Sequence, residues 1–266
     1  MQMRLHRKIC LRLVVIGVLF AGASHGRHEA TIVLNTGARA QGIVRYLPAS
    51  RSFEIQAGAA TREVRADEVA EVILAQPPAQ LREALAQVQQ RRYQQAIPVL
   101  TQIVEDYAMF GPDQDAGSAL MLAYLRTDRS AEALRAGETM VRRNPRLERQ
   151  PAFATVYWET LLEAERLSTL RTSIEEAIRS GSREMAAVGL LRRGDLEMRE
   201  GRTREALVDG YLRVVLLFRD VGLVQPEALY KAMQAHEELN EVAYAERWRQ
   251  RLLSQYATSE FAQRLR

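Results

Sequence analysis

The sequence predicts a mainly α fold: an α-solenoid of about five helix pairs over residues 80–266, preceded by a small all-β unit over 27–76. Three observations predict it. Small residues recur at one position of successive helical hairpins, Ala96, Ala133, Ala206 and Ala245, with gaps of 37, 73 and 39 residues. Self-similarity at a fixed period is the mark of a repeat architecture, because each unit buries its apolar face on the next. Residues 30–75 instead show short alternating runs, the period-2 signature of half-buried strands. Between the two lies Gln76-Pro77-Pro78, where paired prolines end a strand and cannot continue a helix.

Taken in order, residues 1–23 carry Arg4, Arg7, Lys8 and Arg12 and no acid, followed by an apolar run of 11 residues, Leu13 to Ala23. A basic start, a short apolar core and a small-x-small end form a secretory signal peptide. The expected cut follows Ala23, or falls as late as Gly26; an uncleaved signal anchor is the competing reading. The run is shorter than the roughly 20 residues a membrane-spanning helix needs. Cys10, the single cysteine, is preceded by Arg7-Lys8-Ile9 and lacks the Leu-x-(Gly/Ala) lead of a lipidated cysteine. The expected product is therefore periplasmic or secreted, not a lipoprotein, and has no thiol for a disulfide, a metal or a nucleophile. Its charge is also decided here. The 37 Lys and Arg fall by these four to 33, against 33 Asp and Glu that all lie later. A neutral mature chain argues against a nucleic-acid partner, which calls for a basic footprint.

In the β unit, Ala30 to Leu34 reads as a strand ending at Asn35-Thr36-Gly37. Ala40 to Leu47 reads as a second, and Phe53-Glu-Ile-Gln-Ala57 as a third. Thr61 to Ala66 and Glu71 to Leu74 complete the set, with a tight turn at Asp67-Glu68-Val69. Leu34-x-x-Gly37, Gly42-x-Val44, Phe53-x-Ile55 and Glu68-Val69-x-x-Val72 resemble an SH3-like or Sm-like small barrel. The Sm likeness raises RNA as a ligand; export and neutrality argue against it, leaving a structural or docking role. So small a unit is expected to pack on the first helices.

The helix pairs are expected at 80–108, 114–145, 151–181, 184–219 and 225–257. The best-formed is Leu190 to Arg219, with helices over 190–200 and 204–219 broken at Gly201 and crossing closely at Gly194 and Ala206. The missing repeat member falls near Leu170. These residues resemble tetratricopeptide repeats (TPR): Gly194 with Ala206, and Met121, Tyr124 and Ala133 followed by Asn144-Pro145, fit that family's spacing. No unit keeps its Trp-x-x-Leu-Gly-x-x-Tyr intact, and the third pair has Trp158 and Leu170 where small residues belong. The ending through Tyr256 and Ser259-Glu-Phe-Ala262 is similar to that of exported bacterial TPR proteins, such as the periplasmic member of the Tol–Pal system and outer-membrane assembly factors.

Sites for chemistry are few. His236 is the one histidine of the helical body, and no His-Glu-x-x-His, Gly-x-Ser-x-Gly or Gly-rich phosphate loop occurs. Asp113-Gln-Asp115-Ala-Gly117 has Tyr124 where a calcium loop needs its bidentate Glu, so it reads as an interhelical turn capped by Asp115 or Ser118. Glu175-Glu176, Glu237-Glu238, Arg142-Arg143, Arg192-Arg193 and Arg247-x-Arg249-x-Arg251 read as solvated faces with local ion pairs. No enzyme, cofactor or metal is expected. The TPR resemblance implies a concave surface on the first helix of each pair, here Leu122, Arg126, Glu159, Glu163, Asp195, Met198, Arg199, Tyr230 and Gln234. Its mixed charge and few apolar anchors suit a peptide or protein partner. The family's Lys/Asn carboxylate clamp has no counterpart. The alternatives are a structural solenoid using its convex face or β unit, and a wall-acting enzyme with an unrecognised site.

Overall fold

A computed structural model describes residues 26–179 and 182–266. The signal segment lies outside them, as do His25, Ser180 and Gly181. Five strands form one antiparallel sheet: β1 (Arg27–Leu34), β2 (Arg39–Leu47), β3 (Ser52–Ala57), β4 (Ala60–Arg65) and β5 (Val69–Leu74). The order is β4-β3-β2-β1-β5, so β4 and β5 are its two ends. Register follows alternation: Ala30, Ile32, Val44, Tyr46, Phe53, Ile55 and Val64 are all buried on one face.

That face is completed from outside the sheet. Ala108 and Phe110, in the loop after the second helix, share its apolar core. The Phe110 ring meets Phe53 edge-on at 5.9 Å. His28 stacks on Tyr107 at 4.1 Å and donates from Nε2 to the Asp106 carbonyl at 2.8 Å. The β unit thus packs on the helical part, as its small core requires.

The rest is helical. α1 (Ala79–Gln89) pairs with α2 (Tyr93–Asp106), α3 (Pro112–Leu125) with α4 (Ser130–Arg143), and α5 (Pro151–Glu163) is followed by α6 (Leu167–Arg179). α7 (Arg183–Arg199) pairs with a helix in three pieces: α8 (Thr203–Glu205), a π-helical turn (Ala206–Tyr211) and α9 (Leu212–Leu217). α10 (Gln225–Glu238) pairs with α11 (Val242–Gln255), and the short α12 (Glu260–Gln263) follows. No described helix is long and apolar enough to cross a membrane.

Backbone geometry repeats as strictly as the alanines. Each pair turns on one residue in the left-handed region: Arg91, Asp128, Glu165, Gly201 and Asn240, spaced 37, 37, 36 and 39 apart. The next residue donates its N–H five positions back, Arg92 to Gln87, Arg129 to Tyr124, Arg166 to Leu161, Arg202 to Glu197 and Glu241 to His236, at 2.8 to 2.9 Å. This is the Schellman ending, which satisfies the orphan carbonyls of the first helix. The register positions Ala96, Ala133, Leu170, Ala206 and Ala245 are all buried. In the third pair α6 makes its main contact with α7, not α5, as α2 in the first pair does with α3 over α1.

Three expectations are corrected. Asp115 and Ser118 do not cap α3, which begins earlier at Pro112 with Gly111 in the N-cap position. Asp113 instead folds back and accepts from the N–H groups of Met109 (2.8 Å) and Gly111 (3.0 Å), holding the loop that carries Phe110. The tightest approach to Gly194 comes from Gly210 and the Tyr211 ring: a Cβ on Gly210 would lie 2.5 Å from the Gly194 Cα. The π turn brings those residues over α7, a local widening that no spacing rule anticipates. Arg192 is not on a solvated face; its side chain is fully buried.

Candidate functional site

The first helices of the last four pairs, α3, α5, α7 and α10, are joined by charge. Arg126, at the C-cap of α3, donates from Nη1 to Glu159 Oε1 on α5 at 2.8 Å. Glu159 Oε2 lies 3.8 Å from Arg192 Nη2 on α7. Arg192 Nη1 reaches Asp195 Oδ2 and Glu227 Oε1 on α10, both at 2.6 Å, and Nη2 donates to the Thr155 carbonyl at 2.9 Å. Lys231 Nζ then closes onto Asp195 Oδ1 (2.6 Å) and Glu227 Oε1 (2.7 Å). The π turn adds the Tyr211 hydroxyl, which donates to Asp195 Oδ1 at 2.9 Å. At the other end Arg126 Nε donates to Glu260 Oε1 of α12 at 3.0 Å, and Arg264 pairs with the same oxygen. The row reads Arg264, Glu260, Arg126, Glu159, Arg192, Asp195 with Glu227, Lys231, alternating in sign throughout.

Burial and pairing oppose each other here, and pairing wins. Burial pushes Glu227 up, yet the Arg192 and Lys231 charges hold its carboxyl well below the usual carboxylate range. Burial pulls Arg192 and Lys231 down, and the carboxylates around them raise both above their ordinary values. Arg126 is raised in the same way by Glu159 and Glu260, against the pull of desolvation. Burial, with Asp195 beside it, pushes the Tyr211 phenol up. These groups keep fixed protonation states across the neutral range, whereas a general acid or base works best with a pKa near the operating pH. Among the described residues no cluster of three or more His, Cys, Asp or Glu could hold a metal ion. His236 is buried, with Nδ1 donating to Glu241 Oε2 at 2.7 Å and its ring stacked on Tyr244.

The nine residues expected on the concave face divide into three groups. Asp195 is buried among Arg192, Lys231 and Tyr211, so it serves the interior. Leu122, Arg126, Glu159, Met198 and Tyr230 are half-buried; Tyr230 lies against Phe261 of α12, ring centres 5.7 Å apart. Glu163, Arg199 and Gln234 are exposed, with Arg199 between Glu165 (3.1 Å) and Glu163 (3.8 Å) and Gln234 donating to the Tyr230 hydroxyl at 3.3 Å. Sequence reasoning missed Arg192, Glu227, Lys231, Glu260 and Phe261. A signal existed: Arg192/Asp195 and Glu227/Lys231 are opposite-charge pairs at helical spacing, one repeat apart, and Lys231 is the single lysine after Lys8.

Clefts open at the end of this row and between the sheet and the helices. One of about 470 Å³ lies beside α12, between Val88, Gln89, Arg91 and Tyr93 of the first pair, Leu122, and Glu260 and Gln263. The larger, about 780 Å³, sits between sheet and helices, over Phe53, Val69 and Phe110, with Arg51, Arg65, Arg143 and Arg146 on its walls. Arg51, Arg143 and Arg146 donate to the backbone carbonyls of Arg142, Val104 and Val69.

No protein-family model and no curated protein matches the chain. Among solved structures the chain is similar to MamA AMB-1 C2221, at 17% sequence identity and a TM-score of 0.38, covering 63% of this chain and 91% of that one.

Proposed function

We propose that the chain is a non-catalytic TPR-like α-solenoid scaffold of the bacterial cell envelope, binding a peptide or protein partner on the row of first helices. The observation that carries this reading is the five-fold return of one Schellman turn at steps of 36 to 39 residues. Contacts of α1 with α3, α3 with α5 and α5 with α7 support a row of first helices, and a surface made of such a row suits an extended or helical partner. Its exposed edge, Glu163, Arg199 and Gln234 beside half-buried Met198 and Tyr230, combines mixed charge with apolar anchors. Export rests on residues 1–23 and on a mature chain free of thiols. The mutual pairing of buried Arg192 and Glu227 with Lys231, which fixes their charges, supports a scaffold over an enzyme.

The test is in-cell photo-crosslinking of the full chain with a photoreactive residue at Glu163 or Gln234, and at Arg135 on α4 as control. Capture of one protein from the two groove positions and not from Arg135 is the expected result. Capture from Arg135 alone would refute the groove. For export, the expected mature N-terminus is residue 24 or 27; a cytoplasmic chain beginning at Met1 would overturn it. Turnover by the isolated protein that vanishes on changing one carboxylate would favour an enzyme.

A second reading, a structural subunit held through its SH3-like β unit, is favoured by the larger cleft, whose walls bring together the guanidinium groups of Arg51, Arg143 and Arg146. Under it, Arg51→Glu with Arg146→Glu abolishes partner capture while substitutions at Glu163 and Gln234 leave it intact.

A further inference from the structure

The helix α12 occupies the very row that the proposed function assigns to a partner. It is four residues long, far below the roughly 12–15 at which an isolated helix becomes marginal in water, so its order comes from what it touches. Those contacts are long-range and of three kinds. The Glu260 carboxylate pairs with Arg126, 134 residues away, and the Glu260 carbonyl accepts from Arg91 Nη2 at 3.5 Å. Phe261 lies against Tyr230, and the Arg264 guanidinium sits 5.1 Å from the Phe261 ring centre. Ala262 is fully buried in the helical core. Ser259 caps the turn by accepting from the Ala262 N–H at 3.1 Å. A carboxylate, an aromatic ring and a small residue in succession are thus read by Arg126, Tyr230 and the core beneath. The segment does not fill its site, for the 470 Å³ cleft continues beside it along Val88, Tyr93 and Leu122.

We infer that the surface under α12 is an exchangeable binding site for a short helical turn of the form Ser-Glu-aromatic-small, which residues 256–266 hold in cis until a partner segment of the same chemistry displaces them. The inference rests on the groove reading above and supplies the class of partner for it. Three side chains carry the recognition: Arg126 fixes the carboxylate, Tyr230 the ring, and the small residue permits close approach. The apolar stretch of the cleft lets a trans segment bury more than α12 does. A ligand whose site is covered for more than nine-tenths of the time binds at least about tenfold more weakly than it would to the open form.

The probe is a fluorescein-labelled peptide of residues 256–266, titrated by anisotropy into three full-length chains. These are the parent, one with Glu260→Lys and Phe261→Ala, and the latter with Tyr230→Ala added. The latch-weakened chain is expected to bind the peptide at least tenfold more tightly than the parent, and Tyr230→Ala to remove most of that gain. A peptide carrying the same two substitutions as the latch is expected not to bind. The proposal is overturned if the latch-weakened chain, its folding checked by circular dichroism, binds no better than the parent. It is equally overturned if that chain loses cooperative folding, which would make α12 a fixed part of the core. A parent dimer that the peptide dissolves, seen by sedimentation, would overturn the seating in cis and assign the site to a second copy. Peptide binding without crosslinking at Glu163 or Gln234 leaves this site standing and removes the groove reading. Crosslinking without peptide binding does the reverse.

Discussion

Replacing Arg192 by Met tests whether the buried charges bind the first helices together. The Arg192 side chain is wholly buried and donates to Asp195, Glu227 and the Thr155 carbonyl. With Lys231 the inner group balances two positive against two negative charges; without Arg192 it holds one uncompensated carboxylate. Breaking a buried pair from one side costs about 3–5 kcal/mol, because the orphaned charge stays out of water. Removing Glu227 as well restores the balance through Lys231 and Asp195. The double variant Arg192→Met/Glu227→Met is therefore expected to recover at least about 2 kcal/mol over the sum of the single losses. Urea unfolding followed by circular dichroism, with buried Trp158 as a local probe, measures both. A single-variant loss below about 1 kcal/mol, or additive losses, would refute the argument. Acid adds a second reading. Glu227 is held below its unfolded value, so its stabilisation is present above that value and is lost as pH falls through the lower, folded one. Arg192→Met should flatten the decline of stability on acidification.

Three further outcomes are expected. Glu165, a non-glycine in the left-handed region at φ 57°, should become up to about 1 kcal/mol more stable as Gly, while Gly201→Ala at φ 74° should cost about 1–2 kcal/mol; thermal midpoints moving the other way would contradict the turn geometry. Phe110→Ala should cost about 3–5 kcal/mol and strip hydrogen-exchange protection from β1 to β3 before the helices, and unchanged strand protection would show that the loop does not complete the sheet's core. Burial pushes Asp113 up to about 6, so its proton-linked stabilisation is full below the unfolded value near 4 and lost as pH rises through about 6. The stability of the parent relative to Asp113→Asn should fall across that interval, and a pH-independent difference would count against it.

How much of this is legible in the sequence depends on what each feature is made of. Strand and helix positions follow from periodicity and from Gly and Pro punctuation, and the β run and the helix pairs fall where alternation and Ala spacing put them. The five equal turns are hidden because four of their left-handed residues, Arg91, Asp128, Glu165 and Asn240, are not glycine; only Gly201 announces itself. The π turn is invisible because an isolated Gly such as Gly210 inside a helical pattern signals close packing as readily as a widened turn. Arg192 reads as solvated because its neighbour Arg193 and the surrounding charges resemble an exposed face. Its burial depends on Glu227 and Lys231, more than thirty residues away. Glu163, Arg199 and Gln234 are readable as surface, whereas spacing puts Asp195 on the right helix and the wrong side of its wall.

The alternation along the row also makes it directional, which separates it from a set of independent pairs. Exchanging the charges of an isolated pair usually preserves the interaction. Here Arg126→Glu with Glu159→Arg would set a carboxylate at position 126 against Glu260, whose oxygen now lies 3.0 Å from the Arg126 Nε. It would also set a guanidinium at position 159 against Arg192, at the 3.8 Å now held by opposite charges. A like-charge contact at that distance amounts to about 4 kcal/mol at an effective dielectric constant of about 20. Side chains 18% to 28% exposed are partly screened, which reduces the clash with Glu260 to about 1–2 kcal/mol, while the clash with wholly buried Arg192 is screened less. The swapped chain should therefore unfold at a lower temperature than the parent, and raising salt should narrow the gap. A swap that restores the parent midpoint would reduce the row to a string of unconnected pairs. A persistent deficit means that sliding one first helix past the next brings like charges together, so the alternation fixes helix register as well as stability.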